Sequence, residues 1–175
     1  VRGIEAAGAN ELTVHARTKR HGYRPPAYWE EIARAREVVS LNVIANGEIW
    51  SPADALRCRE VTGCADLMLG RGALCRPDLP RLIVAAGAGH SRPSLHWQDI
   101  PPLLLHFFEL NLAHYDARYA PNTTKQWLAY LRAYFPQAAL LFERVKRLRD
   151  PAQLHTVLLA ESQAAETVFK IPAMA

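Results

Sequence analysis

The sequence predicts an α/β fold: parallel β/α units over residues 1–90, followed by an all-α segment over residues 91–175. Two patterns point to it. In the first half, short apolar β-branched runs alternate with helical stretches roughly every ~25 residues, the signature of parallel strands joined by crossover helices. Beyond Gly87–Ser94 those runs stop, and apolar residues recur at helical spacing between prolines. The 175 residues are enough to bury a core. They fall short of the ~250 that a complete (β/α)8 barrel needs.

The first strand is expected at Leu12–His15, after the Gly8–Ala9–Asn10 breaker, with a polar loop to about Pro26. Tyr28–Val39 reads as a helix, because Trp29, Ile32, Ala33, Ala35 and Val39 lie close to helical spacing. Asn42–Ala45 is a second buried-type strand, closed by Asn46–Gly47. Ser51 suits an N-cap and Pro52 the first helical position, so a helix should run to about Val61 and end at Gly63. Asp66–Leu69 reads as the third strand, and Asp78–Ala86 as a further helix that fades into Gly87–Ala88–Gly89.

In the second half Pro101 and Pro102 open a helical pattern carrying Leu103, Leu104, Phe107, Phe108, Leu110 and Leu112. Pro121–Asn122–Thr123 is expected to break the chain and cap a helix over residues 124–135, which Pro136 stops. Ala138–Arg149 forms the next helix, and Asp150–Pro151 opens a last one ending near Ala165. Four short antiparallel helices predict a small bundle.

Lys and Arg number 21 and Asp and Glu 17, a net charge of +4. The excess is mild, but its placement is uneven. Residues 111–149 hold seven cations (Arg118, Lys125, Arg132, Arg144, Lys146, Arg147 and Arg149) against Asp116 and Glu143 alone. Lys125 and Arg132 are seven apart, which puts them on nearly one helix face. Tyr115, Tyr119, Trp127, Tyr130 and Tyr134 are interleaved, a combination that suits a phosphate backbone with stacked or splayed bases. Read singly, these cations are also what a solvated helix face carries, and Trp127 and Leu128 fit the apolar core.

Cys58, Cys64 and Cys75 are odd in number and have no C-x-x-C spacing, so neither a disulfide framework nor a zinc site is expected. No histidine pair has metal-ligand spacing. Val1–Ile4 has no secretory pattern, and no apolar run approaches the ~20 residues of a membrane span. A reduced cytoplasmic protein is the expectation.

Ligands of parallel α/β folds sit at the carboxyl ends of the strands. Here those ends carry His15–Thr18, Asn46–Gly47–Glu48 and Gly70–Arg71–Gly72. Glycines there let backbone N–H groups approach an anion, and Arg71 suits a charge-assisted contact with it. Each feature has a plainer reading: a hydrogen-bonded strand histidine, a tight turn, a strand-to-helix turn, and solvated charges at Arg17 and Lys19.

The strings Leu12–Lys19 (LTVHARTK), Val43–Ile49 (VIANGEI), Gly63–Asp66 (GCAD) and Met68–Leu74 (MLGRGAL) together resemble tRNA-dihydrouridine synthases. Lys125–Gln126–Trp127–Leu128 and the basic helix after it resemble the carboxy-terminal helical domain of the bacterial C-type branch. The likeness covers about residues 3–150. It implies the carboxy-terminal part of a TIM barrel (about strands six to eight) over residues 1–90, followed by a helical bundle that binds tRNA. It also implies FMN as cofactor, NADPH as reductant, and reduction of a uridine, position 16 of the D-loop in this branch, by a protein that is a monomer at full length.

By motif, His15 corresponds to the family's flavin-ring histidine, with Arg17 beside it. Asn46, Gly47 and Glu48 correspond to the loop on the ribityl and phosphate side, and Gly70, Arg71 and Gly72 to the phosphate-grasping turn. Arg118, Lys125, Arg132, Arg144, Lys146 and Arg147 are the expected RNA contacts. Many relatives have Gly at Ala16 and Asp at Glu48. Strands one to five, and with them the general-acid cysteine, are expected upstream of Val1; none of the three cysteines present matches that motif. Two other readings are open: a different FMN barrel resembling dihydroorotate dehydrogenases, and a non-catalytic RNA-binding helical module.

Overall fold

The computed structural model of the chain describes residues 1–22 and 24–169. They divide into two compact units: Val1–Ala73 with Pro77–Arg92, and Leu74–Arg76 with Pro93 onward. Residues 170–175, the tail of the expected helical segment, lie outside the described residues.

The first unit is built on a three-stranded parallel sheet in the order β1 (Glu11–His15), β2 (Asn42–Asn46), β3 (Leu67–Met68). Its helices are α1 (Arg2–Ala6), α2 (Trp29–Arg36), α3 (Pro52–Thr62) and α5 (Leu79–Gly87), with the short α4 (Arg71–Cys75) following β3. The central strand supplies buried Val43 and Ala45, and Ile32 of α2, Ala55 and Cys58 of α3, and Leu79 and Ile83 of α5 close over them. The register is direct: Leu12 pairs with Val43, His15 with Asn46, and Asn46 with Met68.

Local chemistry explains the boundaries. Ser51 caps α3: its Oγ accepts from the Asp54 N–H at 3.1 Å and donates to Asp54 Oδ2 at 2.8 Å. The same carboxylate accepts the Trp50 N–H, so the cap is reciprocal. Gly63 ends α3 with φ 66°, the left-handed cap that glycine adopts most readily. Glu5 of α1 accepts the N–H groups of Ser40 and Leu41, which fixes the chain as it enters β2.

The third strand covers only Leu67–Met68, shorter than the expected Asp66–Leu69, because only Ala45 and Asn46 of β2 pair with it. The helix expected over Tyr28–Val39 is confined to Trp29–Arg36. Neither α1 nor α4 has a periodic apolar pattern long enough to reveal it.

The second unit contains α6 (Ile100–His114), α7 (Ala120–Leu131), α8 (Pro136–Val145) and α9 (Pro151–Phe169), with 3-10 turns at Trp97–Asp99 and Ala117–Tyr119. Ile100, Leu104, Phe108, Leu128, Leu131, Leu141, Leu154 and Leu158 form its core. Two helix starts differ from expectation for one reason. Pro121 lies in the first turn of α7 and Pro136 at the start of α8. A proline at these positions loses no intrahelical bond, so each opens a helix instead of breaking or stopping one.

Replacing Ser51 by Ala should lower stability by about 1 kcal/mol, read as a lower urea midpoint with an unchanged m-value.

Candidate functional site

The parallel register places His15, Asn46 and Met68 in one row across the carboxyl ends of the three strands. The Asn46 amide stitches that row together. Its Nδ2 donates to the Met68 carbonyl at 2.7 Å, which orients Oδ1 toward His15 Nδ1 at 2.6 Å. The pairing assigns the proton to His15 Nδ1 and leaves Nε2 as the nitrogen for another partner. His15 is exposed, as a ligand-facing ring must be.

Beyond Asn46 the chain makes a sharp turn with two successive positive dihedrals: Gly47 at φ 132° and Glu48 at φ 54°. Glycine is required at the first. A Cβ there would lie 3.2 Å from the Ala16 Cβ and 3.4 Å from the His15 ring, in addition to the backbone strain. Glu48 is the only non-glycine residue with positive φ among those described, and such outliers concentrate at functional sites.

Glu48 collects three donors. Arg17 Nη2 bonds Oε1 at 2.5 Å, Arg71 Nη2 lies 3.5 Å from the same oxygen, and Trp50 Nε1 donates to Oε2 at 3.0 Å. The two arginines differ in access. The Arg17 side chain is 1% exposed, whereas that of Arg71 is 36% exposed. Arg17 Nε and Nη1 have no hydrogen-bond partner among the described residues. Arg17 therefore reaches the site through Glu48, and Arg71 is the more accessible of the two. The Arg71 guanidinium also lies 5.3 Å from the Trp50 ring centroid.

The three expected glycines serve different ends. Gly47 packs against His15. Gly72 is required by its own fold, since a Cβ would fall 2.2 Å from the Ile49 carbonyl oxygen. Gly70 has open space where a Cβ would sit. Two tryptophans absent from the expected site also reach the turn: Trp50, and Trp29 at the start of α2, whose Nε1 donates to the Gly47 carbonyl at 2.9 Å. In the sequence Trp29 reads as part of an apolar helix stripe, and nothing there marks its indole N–H.

The expected RNA-contact cations are mostly engaged within the chain. Lys125 Nζ donates to the Leu148 carbonyl at 2.8 Å and lies 3.5 Å from that of Lys146, so it covers the C-terminal end of α8. Burial first, then the Arg149 charge, pulls its pKa below the usual ammonium value. Arg132 stacks over Phe142 of α8 at 4.2 Å. Arg144 pairs with Glu161 and Lys146 with Glu143. Arg118 sits in the 3-10 turn before α7, paired with Asp116 at 2.9 Å and lying over the Tyr119 ring. Arg147 is exposed.

All three cysteines are buried, and none is in a disulfide. Burial, reinforced by neighbouring Cys64, pushes the Cys58 thiol up to about 11, far from a proton donor matched to neutral pH. Among the described residues no cluster of His, Cys, Asp or Glu could hold a metal ion, and no helix is long and apolar enough to cross a membrane.

Three outcomes follow from this geometry. Gly72→Ala should destabilise the protein by about 2–4 kcal/mol, because the clash is with backbone; thermal denaturation checks it. Lys125→Met should cost about 1–2 kcal/mol through loss of the carbonyl contacts, visible in a urea titration. Between the ordinary thiol value and about 11 the folded state keeps a Cys58 proton that the unfolded state has lost. Stability should therefore fall as pH rises through that window, a trend that Cys58→Ala should reduce in urea midpoints taken at pH 8 and pH 10.

Comparison with known proteins matches the dihydrouridine synthase (Dus) family model over residues 1–168. The chain is 47% identical over 163 residues to the tRNA-dihydrouridine(16) synthase of Pseudomonas putida, an alignment covering 93% of the chain and 50% of that protein. It is 45% identical over 157 residues to the enzyme of that name from Aquipseudomonas alcaligenes, covering 90% and 50%. With the Shewanella oneidensis enzyme it shares 41% over 155 residues, covering 89% and 48%. The chain thus spans about half the length of the curated relatives it matches, and it belongs to the dihydrouridine synthase family.

Proposed function

We propose that this chain is the carboxy-terminal part of a tRNA-dihydrouridine synthase. In this reading residues 1–90 are the last three β/α units of a TIM barrel and residues 91–175 a helical tRNA-binding domain. The whole protein reduces a uridine in the D-loop of tRNA to 5,6-dihydrouridine, in the cytoplasm and as a monomer; that the uridine is at position 16 is supported by the (16) in the names of its relatives. The observation that carries the reading is the convergence of His15, Asn46, Gly47, Glu48 and Arg71 at the carboxyl ends of one parallel sheet.

The residues present fit FMN. A protonated ring nitrogen held by Asn46, a glycine without Cβ against that ring, and a half-exposed arginine suit a polar ring edge at one end and a phosphate at the other. FMN, when bound, supplies hydride transfer from NADPH to C6 of the uridine, while a cysteine expected upstream of Val1 supplies the proton to C5. His15, with its Nδ1 proton held by Asn46, would have Nε2 available to the flavin. Arg71 would neutralise the phosphate, and Glu48 keeps Arg71 and Arg17 from repelling each other. Arg147, with Arg144 and Arg118, is the part of the helical unit that meets the RNA backbone.

The full-length protein should purify with flavin absorbance, and its absence would overturn the reading. His15→Ala should raise the FMN Kd about tenfold. Arg144→Glu with Arg147→Glu should weaken tRNA binding about tenfold or more in a gel shift and reduce its salt dependence, with flavin content unchanged. Unchanged tRNA affinity in that variant would remove the RNA role from this surface. A protein that holds flavin but shifts no tRNA would favour a dihydroorotate dehydrogenase-like oxidoreductase instead.

A further inference from the structure

The turn at Gly47–Glu48 is held in a conformation its own backbone disfavours. Two consecutive residues have positive φ, 132° and 54°, and the second carries a full side chain. Such a turn persists only where its surroundings over-determine it. Both of its residues are gripped by an indole N–H. Trp29, the first residue of α2, donates to the Gly47 carbonyl at 2.9 Å. Trp50 donates to the Glu48 carboxylate at 3.0 Å and is itself anchored by its backbone N–H on Asp54, in the cap of α3.

The two grips are not equivalent. Glu48 has other partners in Arg17 and Arg71, so loss of the Trp50 bond leaves its carboxylate satisfied. Among the described residues, the Gly47 carbonyl has the Trp29 indole as its hydrogen-bond donor. Gly47 is also the residue packed against the His15 ring and Ala16, so its peptide orientation sets both the wall beside His15 and the start of Glu48. Trp29 lies 18 residues from Gly47 in sequence and on a different element, and it touches none of the other expected site residues through a hydrogen bond of its indole.

We infer that Trp29 is a positioning residue of the flavin site: its indole N–H, bonded to the Gly47 carbonyl, holds the Gly47–Glu48 turn in the left-handed conformation that shapes the pocket beside His15. The inference rests on the flavin reading above. It predicts that the N–H, not the ring alone, is needed.

The test uses the full-length protein. Trp29→Phe keeps an aromatic ring in the same place and removes the donor. FMN is added to apoprotein and followed by flavin fluorescence, while hydrogen–deuterium exchange is read at the backbone amides of residues 47–49 and, as a control, of β1. The expected result is an FMN Kd raised about five- to tenfold, with faster exchange at residues 47–49 and unchanged exchange in β1. A purely structural role would instead speed exchange across the unit. An FMN Kd and exchange rates equal to those of the unmodified protein would overturn the inference.

Should Trp29→Phe fail to fold, the unmodified protein decides. The indole N–H resonance of Trp29 in a 15N spectrum must be slow to exchange with solvent and must shift on addition of FMN; a fast-exchanging or unmoved resonance overturns the proposal. If the unmodified full-length protein takes up no FMN at all, the flavin reading fails, an outcome distinct from either result above.

Discussion

The strand-end site depends on the Asn46 amide. One side chain satisfies two strands at once, donating to Met68 of β3 and accepting from His15 of β1. It can do so only because the parallel register sets His15, Asn46 and Met68 side by side. A slip of one residue would turn His15 to the other face of the sheet and leave both amide ends without partners. The buried alternation of Val43 and Ala45 forbids that slip, since their side chains fill the core between the sheet and α2, α3 and α5. Core packing therefore fixes the register, the register fixes the amide, and the amide fixes the tautomer of the histidine.

The charges around Glu48 build on that frame. A guanidinium as deeply buried as Arg17 is costly unless paired, and its partner is the carboxylate of a residue held at φ 54°. Strain and ion pair sustain each other: the turn brings the carboxylate within reach of Arg17, and the pair, with the two indole bonds, keeps the turn from relaxing. Arg17 and Arg71 both reach the Glu48 carboxylate. Arg17 is sealed from solvent, and Arg71 is the more accessible of the two. The Glu48 carboxylate serves Arg17, Arg71 and Trp50 together.

Much of this was legible in the sequence, for identifiable reasons. The β-branched runs located the strands, and the Ser51, Pro52 and Gly63 signals located α3, because each acts through local backbone chemistry that a short string displays. The residues of the strand-end site were legible as a group because they follow directly on those strands. The division of labour among them was not. That Arg17 is sealed and Arg71 open, that Gly72 answers to Ile49 while Gly70 has room, and that Trp29 reaches Gly47 are consequences of packing between elements far apart in the chain. The boundaries of α7 and α8 were missed because a proline reads alike whether it ends one helix or begins the next.

The helical unit shows the same distinction between charge along a chain and charge in space. Counted in sequence, residues 111–149 form a strongly basic block. In the fold, Arg118, Arg144 and Lys146 each face a carboxylate, and Lys125 spends its ammonium on carbonyls at residues 146 and 148. Those carbonyls follow the C-terminal end of α8, where the helix dipole is negative and cations are favoured for the helix's own sake. Lys125, Lys146, Arg147 and Arg149 gather around that end, so part of the basic character of the block is the stabilisation of α8. The cations that a polyanion could meet without displacing a carboxylate are chiefly the exposed Arg147 and Arg149, whereas Arg118 and Arg144 would first have to leave Asp116 and Glu161. Binding that must first displace carboxylates is weaker per cation than the raw count implies, and more selective for a partner whose phosphates match the spacing of the few cations that are ready.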